Sequence, residues 1–137
     1  MSVVSEPKLR VMIADDHTMI RKGLKFLLES EVDIEVVAEA SSGEQAIRLA
    51  REHHPSEIVM DITMPETNGI DATRKILLEF PEIKVLFLSS NFDRELIHEA
   101  LSCGAFGYLS KGESLLVVPS VLREIHRGGR FINTGAV

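Results

Sequence analysis

The sequence predicts an α/β fold, a parallel sheet with helices on both faces. Three observations predict it. Short β-branched apolar runs alternate with segments of helical period five times along the chain, the mark of repeated strand–helix units. The stretches at 58–60 and 85–88 are apolar without alternation, as strands covered on both faces are. A length of 137 residues suits one domain with one substantial core.

The elements follow in order. Strands are expected at Leu9–Ala14, Ile34–Ala38, Glu57–Asp61, Ile83–Leu88 and Ala105–Leu109. After the first, Ile20, Leu24, Leu27 and Leu28 fall on one helical stripe. Ala46, Ile47 and Ala50 do the same in the second helix, where Ser42 and Gln45 have capping-box spacing. Leu96, Ile97, Ala100 and Leu101 mark the fourth helix, and Gly104 stands where a glycine would end it. Val118, Val121, Leu122 and Ile125 mark the last, closed by Gly128-Gly129. Pro119 removes a backbone donor and crowds the preceding turn, so this helix is expected to start near Pro119 or to be distorted in its first turn. The apolar cluster Leu115–Val117 ahead of it either contacts another surface or folds back onto the core.

Composition narrows the function. The net charge of −6 makes a poor phosphate-backbone binder, and one tyrosine with no tryptophan offers no base-stacking surface. A single cysteine, Cys103, excludes an internal disulfide and a Cys-cluster zinc site. No apolar run is long enough to span a membrane, and MSVVSEPKLR contains no signal-peptide core. A cytoplasmic domain is the expectation.

In parallel sheets, ligands sit beyond the carboxyl ends of the strands. Asp15-Asp16 follow the first strand, Asp61 ends the third, Ser89-Ser90 end the fourth, and Lys111 follows the fifth. One such Asp alone is more often a helix cap; the joint pattern carries the chemistry. Three carboxylates in one pocket repel. Mg2+ relieves this, because it takes oxygen ligands octahedrally from one or two carboxylates plus waters and phosphate oxygens. Asp16 and Asp61 suit direct ligation, and Asp15 ligation through water. Lys111 adds a cation for a phosphoryl group, and a carboxylate beside Mg2+ and lysine suits nucleophilic attack on a phosphoryl donor. His17 offers nitrogen, a poor match for Mg2+, and reads as structural.

The motifs VMIADDHTMIRKGL, IVMDITMPETNGID, VLFLSS and CGAFGYLSKG, with Gly128 after the last helix, resemble the receiver domain of bacterial two-component response regulators. The likeness is to the NarL/FixJ group, whose members usually carry a LuxR-type helix-turn-helix output domain. The resemblance implies a flavodoxin-like (βα)5 receiver, a five-stranded parallel sheet of order 2-1-3-4-5. It divides the chain into an N-terminal extension (1–8), a receiver (9–128) and the start of a linker (129–137) to an output domain not present here. It also implies roles. Asp61 would be the phosphoacceptor. Asp15 and Asp16 would hold Mg2+ together with Asp61 and the backbone carbonyl of Thr63. Ser89 would hydrogen-bond the phosphoryl group, Tyr108 would be the aromatic switch and Lys111 would contact phosphoryl oxygens. Pro65 and Gly69 would shape the loop after the phosphorylated strand. The implied partners are a sensor histidine kinase, the output domain and a second copy on phosphorylation, with neither nucleic acid nor membrane bound directly. The alternative is a stand-alone phosphorelay receiver.

Two departures and two rival classes bear on this. Gly112 follows Lys111 where many receivers have a cis proline, and a cis bond without proline costs about 2.5–4 kcal/mol. Thr63, two residues after Asp61, stands at a position that varies in the family and helps to set phosphoryl lifetime. A haloacid-dehalogenase-type phosphatase needs a second Asp at that same position, and Thr63 rules against it. A flavin binder needs a phosphate-cradling loop, absent from the strand ends.

Overall fold

The structure, a computed structural model, describes residues 8–90, 93–112 and 115–133. The strands are β1 (Leu9–Ala14), β2 (Ile34–Ala40), β3 (Glu57–Met60), β4 (Lys84–Ser89), β5 (Gly107–Ser110) and β6 (Phe131–Asn133). The helices are α1 (Thr18–Glu29), α2 (Gly43–His53), α3 (Gly69–Glu79), α4 (Arg94–Ser102) and α5 (Val118–His126). The sheet is wholly parallel, of order β2-β1-β3-β4-β5-β6.

The first five strands stand in the expected order, and β6 corrects the expected five-stranded sheet. Residues 131–133, assigned to a linker, pair with β5 in the register Gly107↔Phe131 to Leu109↔Asn133, and the Phe131 amide donates to the Phe106 carbonyl at 3.0 Å. Three residues are too few to display a strand period, so the sequence offered no sign of them.

Successive side chains of each strand point to opposite faces, which makes two cores. Met12, Ala14, Ile58, Met60, Val85 and Phe87 pack beneath α2, α3 and α4. Val11, Ile13, Val59, Leu86 and Leu88 pack beneath α1 and α5. Burying a large aliphatic side chain contributes about 1.5–3 kcal/mol, so these two layers hold the strand ends in place. A charge interrupts one face: Glu57 opens β3, shares Val59's face and is only 1% exposed.

The helix signals hold. Ser42 accepts the Gln45 amide at 3.2 Å, and Gln45 answers by accepting the Ser41 amide at 2.9 Å. Gly104 follows the last turn of α4 at φ +107°, where a side chain would be strained. Pro119 acts as expected. Residues Leu115–Val117 form a single 3-10 turn, and α5 begins at Val118 with proline in its first turn. The apolar cluster divides. Leu115 packs against the α1/α5 core, whereas Leu116 is 73% exposed. Ser114, just ahead of this turn, lies outside the described residues, as do residues 1–7 of the N-terminal extension and 134–137 of the expected linker.

Candidate functional site

The parallel register aligns the carboxyl ends of β1, β3, β4 and β5. Ala14 pairs with Met60 and Ser89 with Ser110, so the residues just past each strand meet. The Asp61 amide donates to the Ala14 carbonyl at 2.8 Å, and the Lys111 amide to the Ser89 carbonyl at 2.8 Å. The carboxyl ends of four strands therefore meet at one edge.

Asp15 and Asp61 are buried, at 2% and 3% exposure, while Asp16 lies at the rim. Lys111 Nζ stands 2.9 Å from Asp15 Oδ2 and 3.2 Å from Asp61 Oδ2. These are ion-pair contacts; neither oxygen has a well-directed hydrogen bond within the protein. The Thr63 amide lies 3.4 Å from Asp61 Oδ1, a long contact. Burial pushes the Asp61 carboxyl up to about 6, helped by the charge of Asp15 and opposed by Lys111.

His17 belongs to this pocket, which its structural reading did not anticipate. Its amide donates to Asp15 Oδ1 at 2.8 Å. Its ring Nδ1 lies 2.9 Å from Asp15 Oδ1, 3.3 Å from Asp16 Oδ1, 3.5 Å from Asp61 Oδ2 and 3.0 Å from Lys111 Nζ. One nitrogen cannot donate to Asp15 and accept from Lys111 at once. The signal was available in its position directly after the acidic pair, at the mouth of the strand-end pocket.

The donor set suits a hard divalent cation. Asp15, Asp16, His17 and Asp61 each offer one ligand atom, and these atoms all lie within 4.8 Å of one another. Asp15 Oδ2 and Asp61 Oδ2 are buried oxygens without a directed donor, the kind of atom that Mg2+ ligation satisfies.

Ser89 and Tyr108 lie deeper, at 1% and 0% exposure. Burial raises the Tyr108 hydroxyl above its ordinary range, a side-chain hydrogen bond with Ser89 opposes this, and the charge of Asp61 adds to it. The ring is thus turned inward and in electrostatic reach of Asp61.

Gly69 is where the loop returns. A Cβ there would lie 2.0 Å from the Asp61 carbonyl oxygen, and the Gly69 amide donates to the Ile62 carbonyl at 2.7 Å. Asn68 then caps α3 by accepting the Asp71 amide at 2.9 Å. Pro65 sits exposed on the arc between, followed by Glu66 at φ +65°. The Lys111–Gly112 bond is trans, as expected.

Residues 11–119 match the family described as the response regulator receiver domain. The chain belongs to that family. It is 38% identical over 130 residues to the transcriptional regulatory protein DegU of Brevibacillus brevis, covering 95% of this chain and 55% of that protein. It is 36% identical over 124 residues to the response regulator UvrY of Escherichia coli K12, covering 90% and 57%. A crystal structure of a LuxR-family two-component response regulator from Aurantimonas sp. SI85-9A1 superposes with a TM-score of 0.85 at 33% identity, over 90% of this chain and 89% of that one. The receiver is of the NarL/FixJ type, and it spans just over half the length of the curated relatives named here. Receiver domains act as phosphorylation-switched regulators rather than metabolic enzymes, and they bind Mg2+ at an acidic pocket of this kind. No helix among the described residues is long and apolar enough to cross a membrane.

Proposed function

We propose that this receiver accepts a phosphoryl group on Asp61 from the phosphohistidine of a sensor histidine kinase. The observation that carries the reading is the convergence of Lys111 Nζ on both buried carboxylates, 2.9 Å from Asp15 and 3.2 Å from Asp61. An Asp61 carboxylate oxygen attacks phosphorus, the phosphorus–nitrogen bond breaks, and the donor imidazole leaves with the electron pair and takes up a proton. Lys111 balances the charge that grows on the phosphoryl oxygens. Asp15, Asp16, Asp61 and the Thr63 carbonyl are the residues to hold Mg2+, which when bound supplies charge neutralisation for the incoming phosphate. Hydrolysis of the aspartyl phosphate by water returns the protein to its starting state.

Phosphorylation adds charge and acceptor oxygens beside Ser89. The Ser89 hydroxyl donates to them, Tyr108 holds the inward position behind it, and the surface of α4, β5 and α5 changes with them. Residues 9–128, extended by β6 at 131–133, form this unit. The segment after it leads to a LuxR-type DNA-binding output in the whole protein, which the lengths and names of the relatives support. Pairing of two phosphorylated copies and a cytoplasmic location complete the reading.

The test is labelling with acetyl phosphate, with and without Mg2+, on the wild type and on Asp61→Ala, read by intact mass. An adduct that needs both Mg2+ and Asp61 is expected. An adduct of equal yield on Asp61→Ala sinks the assignment.

A further inference from the structure

We infer that Gly43, the first residue of α2, is a positioning residue for the loop that carries the Asp61 site. The inference rests on the reading of Asp61 as phosphoacceptor. Helix α2 contributes no side chain to the pocket, yet its N-terminus is pressed against the loop between β3 and α3. A Cβ on Gly43 would lie 1.9 Å from the Thr67 carbonyl oxygen, 2.8 Å from its carbonyl carbon and 2.9 Å from its Cβ. The obstacle is backbone, so no side-chain rotation relieves it.

The loop cannot simply retreat. Two residues on, Gly69 is packed as tightly against the Asp61 carbonyl, at 2.0 Å from a would-be Cβ, and its amide is bonded to Ile62 at 2.7 Å. Asn68, between Thr67 and Gly69, is fixed by capping α3. A push at Thr67 is therefore passed to the arc Thr63–Glu66. That arc holds the Thr63 amide and carbonyl, and at Glu66 it already holds a non-glycine residue at φ +65°. Two glycines hold the loop where it returns to α3: Gly69, opening α3, against the Asp61 carbonyl, and Gly43, on a helix outside the site, against Thr67. Gly43 itself is held where it is by the Ser42 cap, whose carbonyl accepts the Ala46 amide at 3.0 Å.

The test compares Gly43→Ala with Ala50→Gly. Ala50 is fully buried on the same helix, toward its other end, so the second variant destabilises α2 without pushing Thr67. Rates of acetyl phosphate labelling and the Mg2+ concentration giving half-maximal rate are measured on each, with urea stability alongside. We expect Gly43→Ala to slow labelling about tenfold and to raise the half-maximal Mg2+ concentration, and Ala50→Gly to stay within about twofold of the wild type. Wild-type behaviour of Gly43→Ala overturns the inference, and so does equal loss in both variants. A wild type that is never labelled overturns the phosphoacceptor reading, and the inference with it. If Gly43→Ala does not fold, the wild-type amide spectrum decides. Mg2+ should shift the Gly43 and Thr67 amides together, and a Gly43 amide unmoved while Thr67 shifts overturns the coupling.

Discussion

Strand β3 carries a buried carboxylate at each end, and the two ends behave differently. Asp61, just past its carboxyl end, is 3% exposed and faces Lys111 at 3.2 Å, His17 at 3.5 Å and the Thr63 amide at 3.4 Å. Glu57, at its amino end, is 1% exposed and neither of its carboxylate oxygens makes a hydrogen bond. The nearest lysine, Lys84, donates to the Ile125 and His126 carbonyls at 3.1 and 3.4 Å and meets Glu57 only through its field. His126 stands 3.9 Å away. Burial raises both acids, Asp61 to about 6 and Glu57 to about 8. Raised proton affinity is therefore not what distinguishes the two ends. Asp61 has a cation in contact and a pocket that opens past an exposed His17; Glu57 is sealed beneath α5.

The largest effect that sharpens this contrast is expected at Lys111. Replacing it by Met removes the cation from the Asp61 end and should slow labelling by acetyl phosphate roughly 100-fold or more, followed by intact mass over time. A labelling rate near wild type would place the two ends on the same footing. Next comes Gly69→Ala, whose Cβ meets the Asp61 carbonyl. The cost should be about 1–3 kcal/mol in urea unfolding, with loss of labelling exceeding that of a core variant of equal stability.

At the other end, Glu57→Val supplies the apolar residue that this face of β3 calls for. It should stabilise the protein by about 1–3 kcal/mol, and the gain should grow with pH. The sign follows from linkage. The folded state binds the Glu57 proton more tightly than the unfolded chain, with a carboxyl at about 8 against the ordinary 4.5. Its stability contribution is full below 4.5 and is lost as pH rises to and through 8. Wild-type urea curves at pH 6 and pH 9 should therefore diverge more than those of Glu57→Val, and identical slopes would break the contrast. The smallest effect is expected at Arg123, which reaches Glu31 and Asp33 from α5 in half-exposed ion pairs. Arg123→Ala should cost under about 1 kcal/mol, and less in high salt.

The strand-end site was legible because each of its groups occupies the end of an apolar run, and a parallel sheet brings such ends together wherever they stand in sequence. Asp15, Asp61, Ser89 and Lys111 were found in this way, and Tyr108 through the family motif around it. Pro119 announced the late start of α5 by its missing donor. Other features left no periodic trace. Strand β6 is three residues long. His17 enters the pocket through the direction its ring takes. The Gly43–Thr67 contact joins the start of α2 to a loop and is written in the absence of a side chain. Glu57 was counted as the edge of a strand, since its burial depends on α5, more than sixty positions away.

Tyr108 has one further consequence. It is the only tyrosine in a chain without tryptophan, and it is fully buried beside Ser89, within reach of the charge on Asp61. Near-ultraviolet absorbance beyond the weak phenylalanine bands, and almost all of the intrinsic fluorescence, arise from that single ring. The chain carries its own optical probe beside the Asp61 pocket, with no label to attach and no second emitter to subtract.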